Sequence, residues 1–381
     1  MMAIKVLDRY LFGQLFWGSV FALVLFSIVW LAPETLFKLT QYFFGGNITL
    51  AQAFQMFAMH LPGALQQSIP VAALLGSLFV FQRLSGQFET ISMFVAGVSM
   101  RRMLVPVVLV GVTFGLLFVV LNEAVVPVSG PALDSAYTKF SLSDRPDRNF
   151  IFVEKHDDGT LDRLFLIGQA QEDKLSDFVV LDYVKSASGL SASSAAPGVR
   201  IGRIIRANTG YWMSKDNRWS LRDGIEYHLN DEGVYQSIQT FDTQTIKTSK
   251  YAAKLLKYST SNPKYLNFYR LNQYIRLLRE GNQWQDVPYF EVRMYQKLVG
   301  PVSAIFFAVV GALLGLERIR ARRSFSLMFG AILVFVYSIL MPFSSNIAAL
   351  TTLPVWIVAW FPLAACAIVS WGLLALKREM A

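Results

Sequence analysis

Charge is scarce in this chain. Of its 381 residues, only 16% are Asp, Glu, Lys or Arg, against about 25% in an ordinary soluble domain. Together with 54% hydrophobic side chains, the shortage excludes a disordered or collagen-like chain and points to a polytopic membrane protein. Cysteine is nearly absent. The single Cys366 lies in an apolar stretch, so no disulfide within the chain and no cysteine-based zinc site can form. His60, His156 and His228 lie far apart and no H-E-x-x-H occurs, so no metal site is expected. No glycine is followed by lysine. That excludes a Walker-type loop, which needs the pair to hold phosphates. No G-x-S-x-G and no Cys/His nucleophile pattern occurs, so no catalytic residue is assigned and the chain is not read as an enzyme. The net charge of +9 resembles that of a nucleic-acid binder. In a membrane protein, however, excess Lys and Arg report topology, and no nucleic-acid partner is expected.

What is present is long apolar runs. A spanning helix needs about 20 apolar residues to cross about 30 Å of hydrocarbon. Residues 11–33, 51–82, 103–122, 298–316, 324–346 and 353–376 carry no Asp, Glu, Lys or Arg. They predict three spans, a large polar insert and three more spans. The first run is too long for a cleaved leader and is expected to stay as an anchor. Lys5, Arg9, Arg83, Arg101, Arg102, Arg318, Arg320, Arg322, Arg323, Lys377 and Arg378 fall on one side of this arrangement. The short loops of the other side, 34–50 and 347–352, hold only Lys38. Both termini are therefore expected to be cytoplasmic and the insert extracytoplasmic.

The insert reads as β-structure. Phe150–Val153, Leu164–Ile167, Phe178–Val184, Val199–Ile205, Tyr211–Ser214, Arg218–Leu221, Ile225–Leu229 and Val234–Phe241 are short strand candidates. Asp157-Asp158-Gly159, a small-residue loop over 185–198, Lys215-Asp216-Asn217, Arg222-Asp223-Gly224 and Asn230 to Gly233 supply turn chemistry between them. Residues 264–280 switch to helical spacing, with Leu271, Ile275 and Leu278 on one face and Gly281 placed to end the helix.

Residues 84–98 predict a short amphipathic helix between spans 2 and 3, with Phe88, Ile91, Val95 and Val98 at helical spacing. Glu89 lies on a different face, among Arg83, Arg101 and Arg102. It is either a solvated or locally paired acid or a contact for a cytosolic partner. His60 suits a polar group at a kink near Pro62. No Asp, Glu, Lys or Arg is expected inside the spans, which counts against an ion-coupled carrier. Gly111-x-x-x-Gly115 and Gly311-x-x-x-Gly315 fit close helix packing, within the chain or at a subunit interface.

Several segments in order resemble the LptF/LptG permease family of lipopolysaccharide export. They are Leu7-Asp8-Arg9-Tyr10, Pro70 to Gly76, Glu89 to Gly97, Asn122-Glu123 with Pro127, Trp219 to Gly224, Lys297 with Pro301, and Trp360-Phe361-Pro362. The resemblance runs along essentially the whole chain. It implies a polytopic α-helical membrane protein with six transmembrane helices, 3+3, and an inserted all-β periplasmic domain resembling a β-jelly-roll. The domains implied are 1–127, 128–290 and 291–381.

The resemblance further implies the transmembrane half of an ABC transporter in the bacterial inner membrane. A second permease chain would pack beside it, as a homo- or heterodimer. A cytosolic ABC ATPase dimer would carry ATP and Mg, with no cofactor bound by this chain. Single-span and soluble periplasmic bridge proteins would receive lipopolysaccharide or a related glycolipid. The family's coupling helix corresponds to 84–98. Glu89, with Phe88, Ser92, Met93, Gly97 and Arg83, is expected at the ATPase. Lys38, Glu34, Gln66 and Phe37 are expected along the lipid path. Glu34 departs from the family, which often carries a basic residue near that point. The competing readings are a membrane-anchored periplasmic lipid-binding or assembly protein and a permease of another ABC exporter class.

Overall fold

A computed structural model describes residues 2–139, 150–155, 161–171, 174–185, 199–213, 218–230, 234–247, 265–280, 287–316, 324–350 and 353–379. The chain forms two compact units, Met1–Phe140 with Pro288–Ala381, and Ser141–Val287.

The first unit is helical. It begins with α1 (Met2–Leu31), a π-helical turn (Ala32–Leu36), α2 (Phe37–Phe44), α3 (Leu50–Gly86) and α4 (Glu89–Val95). Next come α5 (Met100–Val120), a second π-helical turn (Leu121–Val125) and α6 (Val126–Lys139). The inserted unit ends with α7 (Phe268–Glu280), after which follow α8 (Val287–Gly315), α9 (Ser324–Leu350) and α10 (Val355–Glu379). Among the described residues, 6 helices are long and apolar enough to cross a membrane, three on each side of the insert. Thr49 starts α3 with a capping box. Its hydroxyl accepts from the Gln52 N–H, and the Gln52 side chain accepts from the Thr49 N–H at 2.8 Å.

Small residues let these helices approach, as packing between helices in lipid requires. A Cβ on Gly111 would lie 2.8 Å from the Ile305 Cα, and one on Gly115 would lie 3.0 Å from the Pro301 carbonyl. Both glycines therefore press α5 onto α8. Gly311 and Gly315 press α8 onto the backbone of α3 at Leu74 and Leu78. One buried cluster joins α1, α3, α5 and α8 through Leu11, Leu15, Phe81, Phe114 and Ala308. A second joins α3, α8, α9 and α10 through Leu78, Phe307, Leu333 and Cys366.

Two sequence expectations are corrected here. The third span does not stop at Asn122, because the helix absorbs one π-turn and continues to Lys139. Glu123 thus lies inside a candidate span of 38 residues, Met100–Tyr137. The expected helix over 84–98 is also shorter. Residues 84–86 finish α3, and only Glu89–Val95 form α4.

Among its described residues, the second unit carries one six-stranded antiparallel sheet in the order β1-β2-β3-β4-β5-β6. The strands are β1 (Phe150–Lys155), β2 (Leu161–Gln171), β3 (Lys174–Lys185), β4 (Val199–Met213), β5 (Arg218–Leu229) and β6 (Tyr235–Lys247). Each strand pairs with its sequence neighbour. The pairing puts Phe165 opposite Val180, Val180 opposite Ile205, and Ile205 opposite Glu226. Phe165, Val180 and Ile205 are buried on that row. The break expected between Ile205 and Tyr211 is absent, since β4 runs through it. Arg222-Asp223-Gly224 is not a turn either. β5 continues through it, with Asp223 at φ 53. The buried phase changes there, with Trp219 and Leu221 buried before it and Gly224 and Glu226 after it, while the register to β4 and β6 stays unbroken. The turn at 157–159, the loop over 186–198, residues 215–217 and Gly281 lie outside the described residues. Between β5 and β6, the Asn230 N–H donates to the Val234 carbonyl at 2.9 Å, and the Asn230 side chain accepts from the Val234 N–H at 2.9 Å.

Candidate functional site

The first candidate centre is the knuckle between α3 and α5. α3 ends at Gly86, and Phe88 then takes φ 63, a left-handed conformation rare for a bulky residue. That turn starts α4 at Glu89. The helix closes in a Schellman motif. The Gly97 N–H donates to the Phe94 carbonyl and the Val98 N–H to the Met93 carbonyl, both at 3.0 Å, with Gly97 at φ 83. Thr90 and Met93 are buried, whereas Phe88, Phe94 and Val95 are exposed, Val95 to 84%. Of the residues expected at a partner surface, Phe88 and Ser92 point outward. Met93 turns inward into the α1–α3–α5–α8 cluster. Gly97 shapes the helix end. Ser92 returns its hydroxyl to the Phe88 carbonyl at 3.1 Å. The last turns of α3 and the start of α9 line an open groove of about 550 Å³ beside Arg83 and Gln87.

Glu89 accepts a hydrogen bond from the Tyr10 hydroxyl at 2.9 Å. Arg83 bonds to Gln14, and Arg102 pairs with Asp8. Three polar residues of α1 thus reach α3, α4 and α5 at this end. Residue separations of 69, 79 and 94 hide these contacts from any local pattern.

The second centre lies about 20 residues up α3, or about 30 Å at 1.5 Å per residue. Gln66 donates to Asn122 Oδ1 at 2.9 Å, and Asn122 donates to Glu123 Oε1 at 2.8 Å. Lys297 Nζ donates to Asn122 Oδ1 at 3.2 Å and to Glu123 Oε1 at 3.1 Å. The Lys297 side chain is 11% exposed and that of Glu123 is 32% exposed. Asn122 and Glu123 sit in the π-turn, a rare element that recurs at functional positions. The expectation that the spans hold no charged residue is therefore corrected. Both partners lie within helices of spanning length, and each neutralises the other. Gln66, expected on a lipid path, belongs to this network. The sequence signal was the pairing of an acid after span 3 with a lysine before span 4.

Lys38 and Phe37 open α2 just after the first π-turn, and both are exposed. Glu34 falls within that turn, and its side chain is outside the described residues. His60 Nε2 lies 3.1 Å from the Tyr137 hydroxyl, linking α3 to α6. Among the described residues, no cluster of His, Cys, Asp and Glu could hold a metal ion.

Among the described residues, six long apolar helices, split three and three around an antiparallel β insert, define a polytopic membrane protein. A family model described as "Lipopolysaccharide export system permease LptF/LptG" matches residues 9–376. The chain belongs to that family. It is similar to the lipopolysaccharide export system permease protein LptG of Haemophilus influenzae, at 23% identity over 316 residues, 79% of this chain and 78% of that protein.

Proposed function

We propose that the chain is the transmembrane permease subunit of an ABC transporter in the bacterial inner membrane. It extracts lipopolysaccharide, or a similar large glycolipid, from the outer leaflet and passes it to a periplasmic bridge of β-domains. Its termini and α4 are cytoplasmic, in keeping with the Lys and Arg residues gathered at that end. A second permease chain completes the lipid cavity. A separate cytosolic ATPase dimer binds beneath and carries the ATP and Mg. This chain couples to it mechanically.

The observation that carries the reading is the build of α4. It is a seven-residue helix that presents Glu89 with exposed Phe88, Phe94 and Val95 between two spans. An acid set among exposed apolar side chains suits a protein partner with a basic residue beside an apolar pocket. At the other end, Lys38 suits a charge-assisted bond to a lipid phosphate, and the apolar spans suit acyl chains. The test is Glu89→Lys. The reading predicts loss of ATPase co-purification and of glycolipid export, with the permease still folded. Wild-type binding and export in that variant would overturn it.

A further inference from the structure

We infer that Tyr10 is a positioning residue for Glu89, and that the first turns of α1 clamp α3, α4 and α5 into one force-transmitting unit. The inference rests on the reading of Glu89 as the ATPase contact. Asp8, Tyr10 and Gln14 span about 9 Å of helix axis. Each takes a different neighbour. Asp8 pairs with Arg102 at the start of α5. The Tyr10 hydroxyl donates to Glu89 Oε2 at 2.9 Å at the start of α4. Gln14 accepts from Arg83 in the last turn of α3. Exposed contacts of this kind add little stability singly, so their shared geometry is what they supply.

A Glu side chain on a short exposed helix would otherwise sample several rotamers and lose that freedom on binding. The Tyr10 hydroxyl fixes the carboxylate beforehand. It uses only part of the acceptor capacity, about four lone-pair sites, and so leaves room for a partner's cation. The same contact makes α1 move with α4. Leu11 and Leu15, both 0% exposed, lock the next turns of α1 into the bundle core. A push on α4 therefore travels up α1, about 33 Å of helix from Tyr10, to the π-turn at Ala32–Leu36 and the exposed Phe37 and Lys38 beyond it.

The test compares wild type, Tyr10→Phe, Glu89→Ala and the double variant as full-length permease in lipid nanodiscs. ATPase affinity and thermal midpoint are measured for each. Tyr10 is 42% exposed, so losing its hydroxyl opens no cavity. The inference predicts about five- to tenfold weaker binding for Tyr10→Phe, the scale of one typical hydrogen bond. It also predicts an unchanged midpoint and a double variant no weaker than Glu89→Ala alone. An equal loss from Tyr10→Phe in the Glu89→Ala background, or no loss in wild type, would overturn the positioning role while leaving Glu89 as the contact. Wild-type affinity in Glu89→Ala would overturn the contact reading and the positioning role together.

Discussion

Lys297 and Glu123 form an ion pair, Nζ to Oε1 at 3.1 Å, between two helices of spanning length. Asn122 bridges the pair to Gln66 on α3. Removing the cation leaves an acid without its counter-charge in an apolar bundle. Lys297→Met is expected to cost roughly 2–3 kcal/mol. That is below the 3–5 of a fully buried pair, because Glu123 keeps about a third of its surface exposed. Adding Glu123→Gln is expected to return most of the loss. Thermal midpoints of the purified permease in detergent check both, and equal midpoints for the two variants would contradict the pairing.

Gly311 offers a cleaner test of packing. A methyl group there would overlap the Leu74 carbonyl, whereas one on Gly372 meets nothing within 4 Å. Gly311→Ala is expected to cost about 1–3 kcal/mol. Gly372→Ala should stay within about 0.5 kcal/mol of wild type. Midpoints measured side by side decide it.

In the sheet, Arg203 lies between Asp182 and Glu226, with the Glu226 contact at 3.0 Å. Burial alone would lower the Arg203 pKa. The hydrogen bonds and charges of Asp182 and then Glu226 outweigh it and hold the pKa above its ordinary value. A raised base contributes fully below its unfolded pKa and loses that contribution only as pH rises through the folded value. For Arg203 that window is strongly alkaline, so its contribution should stay constant from neutral pH up to mildly alkaline pH. Arg203→Met is expected to cost about 2–4 kcal/mol, and the same from neutral to mildly alkaline pH. Denaturation of the protein at several pH values checks the sign.

Lys38 is exposed at the head of α2 and packs nothing that its removal would expose. Lys38→Ala is therefore expected to lower glycolipid export severalfold with an unchanged midpoint. Export measured from vesicles to a soluble acceptor reports it, and wild-type export would remove Lys38 from the lipid path.

The spans were legible in the sequence because hydrocarbon thickness sets a length that charge-free runs display directly. Their ends were not. A scan stops at the first charge, so Asn122 and Glu123 looked like a terminus. In the fold, Lys297 and Gln66 supply partners that let the helix run on through a π-turn. Turn chemistry misled at Arg222-Asp223-Gly224, because the residues that favour a turn also permit a left-handed kink inside a paired strand. Glu89 stood out as the one acid of its segment. Its tie to Tyr10 did not, since a contact across 79 residues leaves no local periodicity.

The most direct test of the account is purification of the tagged chain from native membranes in mild detergent, with co-purifying proteins and lipids identified by mass spectrometry. The account predicts a Walker-containing ATPase, at least one permease chain of this family beside the tagged one, and a lipopolysaccharide-like glycolipid, with the ATPase lost in Glu89→Lys. Recovery of the chain alone with bulk phospholipid, under conditions that preserve other ABC complexes, would contradict it.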